Sequence, residues 1–187
     1  MEHFYNKIDG FFNYPDVFVR AIKSIPNNSH IVEIGAYKGC STAHLAVEVI
    51  NSGKNIKMDV IDSWNGEDGT TRPAWADYPK CTGDIFEEFK TNLAPVWHII
   101  NPIQSFSHIA ADLYADNSLD FVFVDACHYY EGVKKDLIKW LPKMKIGSII
   151  AGHDYNPISW PGVVRAVNES FTKDQIQLMG ECWFIQL

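Results

Sequence analysis

The stretch His30–Thr42, H-I-V-E-I-G-A-Y-K-G-C-S-T, decides the fold. Ile31, Val32 and Ile34 form an apolar run that reads as a buried strand. Gly35 and Gly39 mark a turn, and Ala43, Ala46, Val47 and Ile50 fall on one helical stripe. A glycine at the tip of a strand takes backbone angles closed to other residues and lets a ligand lie against the main chain. The first turn of the following helix offers N–H groups with no intrahelical partner. The expected guest is a nucleotide-like molecule.

Outward from this unit, Lys57–Asp62, K-M-D-V-I-D, reads as a second strand ending in a carboxylate. In doubly wound folds an acid at that place accepts hydrogen bonds from a ribose, so Asp62 is the ribose candidate. Dinucleotide binders use G-x-G-x-x-G, whereas here the pattern is Glu33-x-Gly35-x-x-x-Gly39, with Ala36 and Tyr37 where the tight turn would need its second glycine. This pattern resembles motif I of class I S-adenosylmethionine-dependent methyltransferases, whose cofactor has no phosphate and accepts a wider turn. The resemblance implies that Glu33, Gly35, Ala36, Gly39 and Ser41 face the cofactor, with the acid helping to hold its positively charged amino acid end. Asp62 and Ser63 follow at the second strand, and Gln104, Ser105 and Asp125 at the next two strand ends.

The 187 residues suffice for one domain with a full core, and 47% hydrophobic against 21% charged residues is ordinary for a globular protein. The formal charge of −7 argues against sequence-independent attraction to nucleic acid. Lys134, Lys135 and Lys139 read as a solvated helix face. Cys40, Cys81, Cys127 and Cys182 are scattered with no metal-knuckle spacing. There is no signal-peptide pattern and no apolar run of membrane-spanning length, so a cytoplasmic protein with no membrane or nucleic acid partner is expected.

An aromatic arm and a helix occupy residues 1–27, the helix running Pro15–Ile25 with Phe18, Ala21, Ile22 and Ile25 in one stripe. The arm is a candidate cover for the substrate mouth or a homodimer contact. Residues 63–80 lack periodicity and read as a substrate loop, in which Trp64, Trp75 and Tyr78 are candidates to stack on a ring and Arg72 to hold an anion. A helix over 83–93 leads to a strand at Trp97–Asn101, a turn at Pro102–Ser105, and a helix N-capped by Ser105 with Phe106, Ile109, Ala110 and Leu113 in register. Leu119–Asp125 reads as the central parallel strand and Ser148–Tyr155 as the fifth, with a helix through Val133, Leu137, Trp140 and Leu141 between them. A helix near 162–171 and two strands around Gly180 complete the chain. The last strand is expected to run antiparallel between its neighbours. The fold expected is α/β: a Rossmann-like, doubly wound, mostly parallel seven-stranded sheet with a C-terminal antiparallel hairpin.

The segment V-D-A-C-H-Y-Y-E-G-V-K-K-D-L, followed by G-S-I-I-A-G-H-D-Y, resembles a small methyltransferase family that includes sugar and macrolide O-methyltransferases and cephalosporin hydroxylase-like relatives. The resemblance implies that His128 is the base removing a hydroxyl proton from a small-molecule acceptor, with Asp125 beside it. It also implies Mg²⁺ held by Asp125 and Asp154. The chain departs from the pattern at Tyr155, where catechol-type enzymes often have a second oxygen ligand, and at Ala126, usually glycine. The alternative for the acids is that Asp125 orients His128 and Asp154 caps a turn. Two other functions remain open: an NAD-dependent oxidoreductase on the same sheet, and a non-catalytic binding module.

Overall fold

The computed structural model describes residues 1–64 and 84–187. The strands are β1 (Ser29–Ile34), β2 (Ile56–Asp62), β3 (Ile100–Gln104), β4 (Leu119–Val124), β5 (Met144–Gly152), β6 (Gln177–Met179) and β7 (Cys182–Gln186). They form one sheet in the order β3-β2-β1-β4-β5-β7-β6, with β7 antiparallel to both neighbours and the remaining pairings parallel. The expected sheet and its inserted last strand are present.

The helices are α1 (Pro15–Ser24), α2 (Cys40–Ser52), α3 (Ile85–Asn92), α4 (Ser107–Ala110), α5 (Tyr130–Trp140) and α6 (Pro161–Asn168). Side chains alternate along each strand, so the central strands feed two cores. Ile31, Val60, Phe121, Phe123 and Ala151 pack with α1, α2 and α3 on one face. Val32, Ile61, Val122, Val124 and Ile150 pack with α5 and α6 on the other. Each large apolar side chain fully buried in these layers contributes about 1.5–3 kcal/mol. Helix α1 begins as read, with Pro15 in its first turn, and buries Phe18, Ala21 and Ile22.

Three readings need correction. Trp97–Ile99 belongs to a 3-10 helix over Ala94–Ile99, because Pro95 in its first turn sets the backbone before the β-branched run takes effect. The strand therefore covers Ile100–Gln104, and Pro102 sits within it opposite Val60, tolerated because β3 is an edge strand. Ser105 is not an N-cap: Phe106 holds that position, while the Ser105 hydroxyl donates to the Phe106 carbonyl. The stripe beyond it is broken into α4 and a 3-10 turn, leaving Ile109 53% and Leu113 69% exposed. Finally, β5 starts at Met144, with a register shift between Leu119 and Phe121 on β4 that absorbs Gly147 at φ 81°.

Candidate active site

The C-terminal ends of β1, β2, β4 and β5 open onto a cavity of about 580 Å³, within the range of small-molecule sites. Its floor is the glycine turn. Gly35 has φ 88°, and a Cβ there would lie 1.9 Å from the Asp125 carbonyl oxygen. The glycine is thus required by the crossing of the β1 and β4 tips. The Asp62 carboxylate holds the turn: Oδ2 accepts from Ala36 N at 2.8 Å and Tyr37 N at 2.9 Å, and Oδ1 from Trp64 N at 2.8 Å. Burial raises its pKa, opposed by these N–H groups.

Glu33 lies behind the turn, fully buried. Its Oε1 accepts from Ser41 Oγ at 2.6 Å, while Oε2 has no hydrogen-bond partner. Burial pushes its pKa up to about 7, against the Ser41 bond. An orphaned buried acid beneath Ser41, which does line the cavity, suits a cationic ligand end. Gly35, Ala36, Ser41, Asp62, Ser63, Ser105 and Asp125 all line the cavity. Gly39 and Gln104 are not among its lining residues. Gly39, at φ 91°, lets α2 pack on Leu93 and Phe89, and Gln104 donates to the Ser63 carbonyl at 3.2 Å on the exposed edge.

The opposite wall is ionic. His128 Nε2 lies 2.6 Å from Asp154 Oδ2 and 3.8 Å from Asp125 Oδ1, so its close partner is Asp154. The Asp154 backbone is left-handed at φ 61°, which turns its carboxylate back toward the β4 loop. His153 Nδ1 stands 3.3 Å from Asp154 Oδ1. Asp125 instead accepts a 2.6 Å hydrogen bond from the Tyr14 hydroxyl. Trp160 stacks on the His128 ring at 4.4 Å. Burial of His128 opposes its charge, but the Asp125 and Asp154 carboxylates outweigh this and push its pKa up to about 10. Burial alone would raise the Asp154 pKa; its bonds to His128 and His153 overcome this and hold it well below the usual range. Burial, reinforced by Asp125, drives the Tyr14 pKa upward. Asp125, His128 and Asp154 offer ligand atoms all within 4.8 Å of one another.

Trp160, Lys135 and Asp136 also line the cavity and were not expected there, and Tyr14 lines it too. Tyr14 belongs to the aromatic arm, already a candidate cover. Lys135 is exposed, in keeping with the solvated-face reading, and borders the cavity, while Lys139 pairs outward with Asp112 at 2.9 Å. Trp64 is not free to stack on a substrate: it is buried, packs on Phe86 and Phe89, and donates Nε1 to the Tyr37 carbonyl. Arg72, Trp75 and Tyr78 lie outside the described residues, as does most of the expected substrate loop. Tyr155 turns away, its hydroxyl donating to Asn168 Oδ1.

A mixed seven-stranded sheet with an antiparallel last strand, and its cavity at the strand ends around a glycine turn, is the architecture of class I S-adenosylmethionine-dependent methyltransferases. The chain belongs to the methyltransferase domain family, whose model matches residues 32–155. The O-methyltransferase NovP superposes with a TM-score of 0.72 at 15% identity, covering 92% of this chain and 78% of that one. CalS11, a TDP-rhamnose 3'-O-methyltransferase of calicheamicin biosynthesis, gives 0.64 at 16% identity, covering 92% and 76%. SMU.1697c of Streptococcus mutans, a methyltransferase-like structure in complex with SAH, gives 0.62 at 9%, covering 95% and 99%. By sequence, the chain is 24% identical over 124 residues to y4gI of Sinorhizobium fredii (strain NBRC 101917 / NGR234), matching 66% of this chain and 13% of that protein's length. Among the described residues, no helix is long and apolar enough to cross a membrane.

Proposed function

We propose that this chain transfers the methyl group of S-adenosylmethionine to a hydroxyl oxygen of a small molecule of sugar or natural-product type. The carrying observation is that the His128 imidazole, gripped by Asp154, lines the same cavity as the glycine turn and Asp62. The O-methyltransferase neighbours support the same reaction class. When bound, S-adenosylmethionine supplies an electrophilic methyl on a sulfonium. Gly35, Ala36, Ser41, Asp62 and Ser63 bind and orient it, with Glu33 acting through Ser41 and Ser105 at the far rim. His128 donates Nε2–H to Asp154 and so receives the acceptor's proton at Nδ1, Asp154 and Trp160 fix its ring, and Tyr14 holds Asp125 in place. Holding donor and acceptor in line provides a large share of the acceleration, and a positioned base typically adds about 10² to 10⁴.

The Asp125 and Asp154 oxygens also form a fitting pair for Mg²⁺, which as a hard cation takes oxygen ligands and would lower the pKa of a bound hydroxyl. Calorimetric titration with S-adenosylmethionine and S-adenosylhomocysteine, with NAD as control, tests the cofactor. A panel of hydroxylated acceptors with wild type and His128→Ala, with and without Mg²⁺, tests the rest. Micromolar binding of both ligands and collapse of turnover in the variant are expected. Binding of NAD alone, or turnover retained by His128→Ala, would overturn the reading.

A further inference from the structure

A second cluster stands apart from the cavity. His44 and Glu48 are four residues apart on α2 and so project from one face, and His3 of the N-terminal arm lies over them. Their candidate ligand atoms are all within 4.8 Å of one another, and none of the three lines the cavity. His44 is only 4% exposed, and its Nδ1 is buried with no hydrogen-bond partner. Its ring stacks on that of His3 at 4.3 Å, while His3 Nε2 meets Glu48 Oε1 at 2.8 Å.

We propose that His3, His44 and Glu48 form a binding site for a divalent transition metal of the zinc class, which staples the N-terminal arm to α2. Two imidazole nitrogens and one carboxylate oxygen suit zinc, which takes such ligands at about 2.0–2.2 Å and leaves a fourth position for water. A hard cation such as Mg²⁺, which prefers oxygen, is a poor match for this donor set. The two stacked rings cannot both hold one ion in their planes, so the His3 ring must swing outward. Its partly exposed side chain allows this movement, and His44 and Glu48 stay on the helix. The arm continues from His3 through the 3-10 turn Tyr5–Lys7 to Gly10, Phe11, Asn13 and Tyr14, all four of which line the cavity. Fixing its start on α2 therefore fixes the segment that donates to Asp125.

The test uses the full chain carrying Asp154→Asn, which disables the Asp125–His128–Asp154 cluster and separates the two sites. Calorimetric titration with Zn²⁺ should show one equivalent, weakened at least tenfold by adding either His3→Ala or Glu48→Gln, with Mg²⁺ giving no such signal. Hydrogen exchange over residues 1–14 should slow on Zn²⁺ addition, and only when His3 is present. No Zn²⁺ binding, binding unaffected by both substitutions, or binding without slowed exchange in the arm would each overturn the proposal. Circular dichroism of the apo variants identifies a folding defect, and His3, on the surface, is the substitution least able to cause one.

Discussion

The pH dependence of turnover is the sharpest consequence of the His128 environment. A base must be neutral to accept a proton, yet the two carboxylates around His128 push its pKa up to about 10. At pH 7 roughly one molecule in a thousand then carries a neutral imidazole, and each added pH unit raises that fraction tenfold. Because kcat/KM reports the free enzyme's essential base, it should rise about 100-fold from pH 7 to pH 9 in the absence of divalent cations. Mg²⁺ held between Asp125 and Asp154 would cancel part of their pull and move the inflection to lower pH. The assay is initial-rate methyl transfer to an acceptor taken from the panel, with cofactor affinity measured at each pH to remove binding effects. A kcat/KM that is flat between pH 7 and 9 without cations would refute the reasoning. The same shift carries a stability signature. The folded pKa lies above the unfolded value of about 6.5, so the stabilisation is complete below pH 6.5 and is lost as pH rises through about 10. The wild-type Tm should fall across that interval more than that of His128→Gln.

Tyr14→Phe removes the donor to Asp125 and should cost about 1.5–3 kcal/mol in urea unfolding, the range for a hydrogen bond to a charged group, together with a loss of kcat. Gly35→Ala drives a Cβ into the Asp125 carbonyl at a left-handed φ; about 4 kcal/mol or more of stability should be lost, read from the shift in urea midpoint. Glu33→Gln should behave oppositely. Its folded pKa of about 7 exceeds the ordinary 4.5, so the penalty for the buried charge is absent below pH 4.5 and complete above pH 7. The variant should gain up to about 3 kcal/mol at pH 8 and nothing at pH 4, with weaker binding of S-adenosylmethionine; equal stability change at both pH values would contradict the assignment.

The strands and the glycine turn were legible because burial on two faces leaves continuous apolar runs such as Phe121–Val124, and because Gly35 has no substitute at its angles. The edge was less legible. Trp97–Ile100 has strand composition, but a proline two residues earlier set a 3-10 turn, and edge strand β3 has few contacts to enforce a pattern. At the site, the residues in contiguous motifs could be singled out, whereas their partners come from across the sheet. Tyr14 reaches Asp125 over 111 positions of chain, a relation that no local spacing encodes. The only hint was the unusual aromatic density of the arm. Trp160 follows β5 by a loop, and nothing in its neighbourhood announces that it will cover an imidazole. The pairing of His128 with Asp154 rather than Asp125 depends on one left-handed residue, and no sequence pattern marks an aspartate that will adopt it.

The insertion of β7 between β5 and β6 bears on biogenesis. Cys182–Gln186 follows the other six strands in the sequence, yet it fills a place inside the sheet, so one edge of β5 stays unpaired until this segment arrives. Gly152 of β5 lies against the Trp183 indole, and the Tyr155 amide donates to the Glu181 carbonyl. A nascent chain lacking this segment thus has an open, adhesive strand edge and a cavity rim without its backing. A deletion confined to Cys182–Gln186 would leave a polypeptide for chaperones and proteases to handle rather than a slightly weaker protein.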